Sequence, residues 1–229
     1  MVIEQLREAI EREMEWRSAE LREIRNLLTS IDDSRVSDTL KKSLVLLLYA
    51  HFEGYCKNVF SIYVEELTRE RIKLKHLESI LGAAAATKLF DELDKTGNLP
   101  PEFAEFKRSQ PVRRQVKQAV LMKELWKVRE SEATFDADRL IHLEGNVTPD
   151  VLKRVLCRLG LSFSFVETYA GDLNHLIRRR NDFAHGTRKG APGDREFQKL
   201  RRCVEDLSRE LRNAVIYAAR TSSYLAVLP

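Results

Sequence analysis

Glycine and proline are scarce in this chain, 9 and 6 among 229 residues, and they gather at a few breaks. Such scarcity excludes a loop-rich or collagen-like chain and leaves long uninterrupted segments between the breaks. Cysteine is scarcer still: Cys56, Cys157 and Cys203 are odd in number, far apart and set in apolar patterns. A disulfide scaffold is excluded, and all three are expected to be reduced core residues of a soluble cytoplasmic protein. No apolar run approaches the ~20 residues of a membrane span. The longest, Leu44 to Ala50, is far shorter. The N-terminus alternates Glu and Arg where a signal peptide would turn apolar, so none is expected. A dominant charge is lacking too: Lys+Arg 39 against Asp+Glu 35 leaves +4, which permits an anionic partner without requiring one.

Signatures of many chemistries are also missing. The chain has no P-loop, no Gly-rich dinucleotide fingerprint, no CxxC and no GxSxG elbow. His51, His76, His142, His175 and His185 form no i, i+4 pair and no HExxH. No metal site is expected, and an enzyme built on this chain is expected to work without metal or organic cofactor.

What is present is helical periodicity. Ile3, Leu6, Ile10, Met14, Leu21, Ile24, Leu28 and Ile31 step by threes and fours, interrupted at Arg17, and predict an amphipathic helix. After a turn or cap at Asp32-Asp33-Ser34, a second helix is predicted from about Asp38 to Lys73, capped by Ser37 or Asp38. Its Leu44–Ala50 run is apolar all round and is expected at the centre of the fold, and Phe52, Cys56, Phe60, Tyr63 and Leu67 continue one face. Gly54 costs this helix about 1 kcal/mol relative to Ala, and the expected compensation is close approach of another backbone.

Residues 76–148 are expected to be a helical insertion. A helix from Leu77 to Leu93 would end at Gly97-Asn98, and Pro111 would start another through Val128. Between Lys107 and Arg129 stand Lys107, Arg108, Arg113, Arg114, Lys117, Lys123, Lys127 and Arg129 against Glu124 alone. A solvated helix face accounts for that run as well as RNA binding does. Thr148-Pro149-Asp150 starts a short helix that Gly160 ends, and helices follow over 163–184 and 194–224, the last with a seam of Phe197, Leu200, Val204, Leu207 and Leu211. Nothing alternates at period two for the length of a strand. The expectation is one all-α domain: two core helices in 1–75, the insertion in 76–148, and the remaining bundle helices in 149–229.

One segment departs from ordinary helix composition: Leu176-Ile-Arg-Arg-Arg-Asn-Asp-Phe-Ala-His-Gly186. At about 100° per residue, Leu173, Leu176, Ile177, Phe183 and Ala184 fall within roughly 60° of Arg180. A charge in the middle of an apolar stripe is costly unless it is paired or faces a cleft. Beside the stripe, Asn174, Arg178, Asn181 and His185 make a polar ridge, and Gly186 ends the helix just before a basic loop holding Arg188 and Lys189. An arginine fork for phosphate, an amide for positioning and an imidazole for proton transfer can together cleave RNA without a metal. A basic helix end with a C-terminal His favoured by the helix dipole explains the same residues without catalysis. Arg71 and His76 repeat the spacing but lack the polar residue after Arg and the Gly after His, and are expected to be solvated helix surface.

Arg180-Asn-Asp-Phe-Ala-His-Gly186 resembles the Arg-polar-x-x-x-His motif of HEPN domains. Leu48-Tyr-Ala-His-Phe-Glu-Gly-Tyr55 resembles the signature of MAE-type HEPN-like nucleases and their RiboL-PSP-type relatives, and Trp16-Arg17-x-x-Glu20-Leu21 fits the start of such proteins. The likeness covers most of the chain outside roughly 76–145. It implies a HEPN-like bundle of four core helices, paired as a homodimer that brings two motifs into one cleft. It implies a metal-independent endoribonuclease, typically a toxin of a toxin–antitoxin or phage-defence system, leaving a 2′,3′-cyclic phosphate and a 5′-hydroxyl. Arg180, Asn181 and His185 would be catalytic, with Glu53, Arg178 and Asn174 in support; Glu53, at the edge of the second helix's apolar stripe, would orient Arg180 or His185, or else make a structural ion pair within the bundle. Arg113, Arg114, Lys117, Arg188 and Lys189 would guide the RNA, whether tRNA, rRNA or mRNA, and a partner protein or antitoxin would restrain the enzyme. Some relatives carry, two residues past His, a Tyr that a partner nucleotidylates; here Thr187 stands there. The competing expectations are a non-catalytic HEPN-type module that binds RNA, nucleotide or protein, and a helical scaffold.

Overall fold

Asp33 starts the central helix. Its carboxylate accepts from the backbone N–H of Arg35 (2.8 Å) and Val36 (3.3 Å), so α2 runs Ser34–Arg69, one turn earlier than a cap at Ser37 or Asp38 would allow. The computed structural model describes residues 2–95, 100–106, 108–187 and 189–226, and Gly97, Asn98, Lys107 and Arg188 therefore lie outside the described residues. Among those described there is no strand, and the fold is all-α.

The elements in order are α1 (Ile3–Leu28), α2, a 3-10 turn (Leu74–His76), α3 (Ser79–Ala85), α4 (Thr87–Lys95), a 3-10 turn (Pro101–Phe106), α5 (Gln110–Val128), α6 (Ala137–Leu140), α7 (Pro149–Arg158), α8 (Val166–Ala184) and α9 (Asp194–Thr221). The bundle is α1, α2, α8 and α9, with α2 packed on the other three and α7 on the outside of α8. Buried residues of α2 span its length, from Leu44 through Phe52 and Phe60 to Leu67. The Leu44–Ala50 run is less enclosed than its composition suggests: Leu46 and Leu47 are half-buried and Ala50 is exposed. The α9 seam is buried from Leu200 to Ala219, with Phe197 half-buried at its start.

The expected helix over 77–93 is two helices. Ala86 turns the chain at φ −86°, ψ 8°, and separates α3 from α4. The ends of the 76–148 segment are stitched to the bundle by backbone bonds: Leu74 N–H to Ser131, Ala133 N–H to Ile72, and Glu78 N–H to Tyr224. Leu77, Leu81, Leu140, Ile141, Leu143 and Val147 join the same core as α2 and α9. By contrast α5 packs on α4 and the Pro101–Phe106 turn.

Two further expectations are corrected. Cys56 and Cys203 are buried, and burial pushes both thiols up, but Cys157 is exposed because it lies opposite the Leu152, Val155 and Leu156 face of α7. The second Arg…His spacing is not on helix surface: α2 stops at Arg69, Arg71 is left-handed (φ 48°), and His76 sits in a 3-10 turn.

Candidate active site

The three consecutive arginines of α8 point three ways. Arg178 is exposed; Arg179 is the buried one, 3% accessible; Arg180 is half-buried. The wheel expected the enclosed charge at Arg180. It falls at Arg179 because α8 is buried against α9 as well as α2, and the contact with α9 follows His175 and Arg179. Arg179 Nη2 donates to Glu196 Oε2 (3.0 Å), Nε lies 2.7 Å from Oε1, and the guanidinium rests 4.8 Å over the Phe183 ring. His175 Nε2 lies 2.8 Å from the same carboxylate, and Lys199 bridges to Asp172 at 2.7 Å one turn back. Burial works against a charged Glu196, but the hydrogen bonds from His175 and Arg179 outweigh it and hold the carboxyl below its usual range.

Arg180 is held on the other side. Its guanidinium stacks 4.4 Å over the Tyr49 ring of α2, and Nη1 donates to Asn181 Oδ1 at 2.9 Å. Tyr49 is fixed in turn: its hydroxyl accepts from Val147 N–H (2.8 Å) and reaches Asn146 Oδ1 at 3.3 Å. Burial pushes the Tyr49 phenol up, with the Glu53 carboxylate adding to it, so the hydroxyl stays protonated. A chain of contacts thus runs from the 146–147 turn through Tyr49 to Arg180 and Asn181.

His185 follows at the C-cap of α8, its backbone N–H bonded to Asn181 O, and Gly186 turns the chain at φ +67°. The imidazole is exposed, and no described residue pairs with it. Thr187 Oγ1 contacts the backbone and carboxylate oxygens of Asp182, both at 3.2 Å, which pins the loop as it leaves the helix. The ridge stands as expected: Asn174 and Arg178 exposed, Asn181 half-buried, His185 exposed. The packing therefore gathers Arg180, Asn181 and His185 at one helix end.

Glu53 does not take the expected role. It makes no hydrogen bond or ion pair with Arg180 or His185; it is half-buried and lines a cleft between α2 and His142–Gly145. Arg113 and Lys117 are half-buried and Arg114 is exposed on α5, while Lys189 is exposed in the loop after α8. Since α8 packs on α2, α7 and α9, the α5 residues belong to a different layer from the Arg180 ridge. Sequence reasoning missed two exposed apolar side chains there, Met122 and Trp126, the latter with the Arg129 guanidinium 4.2 Å over its ring. It also quoted Tyr49 without a role; an aromatic in a buried helix gives no sign of which cation it will meet.

Three more residues of the Tyr49–Tyr55 stretch tie α2 to its neighbours. His51 Nε2 lies 2.9 Å from Glu20, and its ring meets Trp16 edge-on at 5.3 Å. Arg17 stacks on Trp16 at 4.2 Å and donates to Glu13 O at 2.7 Å. A Cβ at Gly54 would come within 3.2 Å of Arg17 Nη2, so the glycine makes room for a guanidinium and not for another backbone. Tyr55 donates to Ser208 O at 3.1 Å and ties α2 to α9. Residues quoted together for their resemblance, Trp16, Arg17 and Glu20 with His51 and Gly54, are thus one contact set between α1 and α2.

Among the described residues no helix is long and apolar enough to cross a membrane. No curated protein and no solved structure matches the chain. The family model described as RiboL-PSP-HEPN matches residues 12–217, which takes in the α1–α2 contact set, the 76–148 segment and the α8 motif. The helical bundle, the α8 ridge and that match over nearly the whole length agree: the chain belongs to the RiboL-PSP-HEPN family, a HEPN-type domain whose membership points to RNA-related function.

Proposed function

We propose that this chain is a metal-independent endoribonuclease that acts as a homodimer, with Arg180, Asn181 and His185 as its site. The observation that carries the reading is the state of His185: an exposed imidazole without a partner among the described residues, one turn beyond an arginine that Tyr49 and Asn181 hold in place. Arg180 binds the non-bridging oxygens of the scissile phosphate, where charge grows in the transition state. One imidazole takes the proton of the 2′-hydroxyl as O2′ bonds to phosphorus. The P–O5′ bond breaks, and the leaving oxygen takes a proton from the protonated imidazole of the second copy. The products are a 2′,3′-cyclic phosphate and a 5′-hydroxyl. Asn181 positions Arg180, and Arg178 and Asn174 steer the strand along the ridge. Arg113, Arg114, Lys117, Arg188 and Lys189 contribute further phosphate contacts. In the cell the enzyme is a toxin of a toxin–antitoxin or phage-defence system, acting on tRNA, rRNA or mRNA and restrained by a partner protein.

The test is cleavage of total tRNA and rRNA in EDTA by the wild type and by His185→Ala, matched for folding by circular dichroism. Cleavage by the wild type alone, leaving cyclic-phosphate ends, supports the proposal. Equal cleavage by both overturns the assignment of His185, and silence from both turns the protein into a binding module.

A further inference from the structure

On the flank of α2 away from Arg180, helices α1, α2 and α9 enclose a cavity of about 380 Å³. Leu48, Phe52 and Tyr55 of α2 and Phe197 of α9 form an apolar, aromatic floor. Arg17, Arg22 and Arg25 of α1 and Arg201 of α9 stand around it. The volume falls in the range of small-molecule sites, which combine an apolar lining with a few convergent polar groups.

The charges are unevenly satisfied. Arg201 donates to Glu205 (3.0 Å) and Gln198 (3.2 Å), and Arg17 is paired with Glu13. Arg22 and Arg25 have no hydrogen-bond or ion-pair partner among the described residues. They are three apart on one helix, where like charges repel and cost stability. Arg17, only 7% exposed, leaves its buried Nε–H without an acceptor. The acidic group in the lining, Glu205, is already spent on Arg201. Unmatched guanidinium groups over an aromatic floor complement a multiply charged oxyanion joined to an apolar body.

We infer that this cavity is a second ligand site, separate from the α8 ridge, and that it takes a small organic phosphate with an aromatic or apolar body. The phosphate sits between Arg22 and Arg25, and the body lies on Phe52, Tyr55 and Phe197. Asn26, which also lines the cavity, offers a polar contact to a ring that carries heteroatoms. The site does not depend on RNA cleavage, so either can fail alone.

Isothermal titration of the full chain with phenyl phosphate, adenosine monophosphate and inorganic phosphate tests it. At least one of the two organic phosphates should bind at one per chain and at least tenfold more tightly than inorganic phosphate. The double variant Arg22→Ala, Arg25→Ala should weaken that binding at least tenfold. His185→Ala and Arg180→Gln should leave it unchanged. No saturable binding of either organic phosphate by about 10 mM would overturn the inference. So would binding that survives the double variant, or binding lost in His185→Ala or Arg180→Gln, which would place the anion on the α8 ridge.

Discussion

The Tyr49–Tyr55 stretch of α2 and the Arg178–Gly186 stretch of α8 both put polar side chains into buried helices, and they finish differently. In α2 three polar groups are taken up within the fold, Tyr49 on Val147 and Asn146, His51 on Glu20 and Tyr55 on Ser208, and Glu53 alone has no hydrogen-bond or ion-pair partner among the described residues. In α8, Arg179 is likewise paired with Glu196, with only its buried Nη1 left over, but Arg178 and His185 are left open to solvent and Arg180 is braced with its charge uncancelled. Groups that hold a fold together satisfy one another; groups meant for a ligand are positioned and left unsatisfied. Adjacent residues of one helix, Arg179 and Arg180, fall on opposite sides of that line.

The largest effect should come from the open side. His185→Ala is expected to lower RNA cleavage about 10²–10⁴-fold, with the unfolding midpoint in urea unchanged; a shifted midpoint would move His185 to the structural side. Next is Arg179→Ala, which takes one of its two partners from a half-buried Glu196 and leaves it His175. Thermal and urea unfolding should show a loss of about 1–3 kcal/mol, the range for losing a charge-assisted hydrogen bond when the carboxylate keeps another partner. Tyr49→Phe keeps the ring under Arg180 but leaves Val147 N–H without its acceptor. It should cost about 1–2 kcal/mol in urea unfolding while most of the cleavage survives. A large loss of cleavage would mean that the hydroxyl itself serves the site.

The smallest effect is a pH dependence. Burial, with Arg17 nearby, holds His51 below its ordinary pKa of 6.5 even though Glu20 pulls the other way. A base whose folded pKa is depressed binds fewer protons folded than unfolded. Its contribution is therefore complete above pH 6.5 and is lost as pH falls from there through the folded value. Unfolding free energies across that window should fall less steeply with acid in His51→Gln than in the wild type; identical slopes would mean that His51 is not held neutral.

The bundle was legible where burial is one-sided. The α9 seam and the α7 start at Thr148-Pro149 follow from periodicity and capping alone, because each residue's environment is set by its own helix. The candidate site was legible as a string but not as a geometry. A wheel centred on one stripe cannot show that α8 is covered on two sides, so it gave Arg180 the burial that belongs to Arg179. Glu53 looked suited to orient the motif because it borders the α2 stripe, yet the stripe does not reveal that it lines a cleft with the His142–Gly145 segment. The break at Ala86 was hidden by high helix propensity on both sides of it. Arg17 appeared as a gap in a seam, and only the placement of Trp16, Glu13 and Gly54 around it explains why a buried guanidinium is tolerated there.

The most direct measurement compares Arg179→Gln with Arg180→Gln, recording cleavage rate and unfolding free energy for each at a temperature where both are folded. The expected result is a crossed pattern. Arg179→Gln loses stability and still cleaves RNA, whereas Arg180→Gln keeps its stability and falls silent. Loss of cleavage in Arg179→Gln with full activity in Arg180→Gln would contradict the assignment of the site.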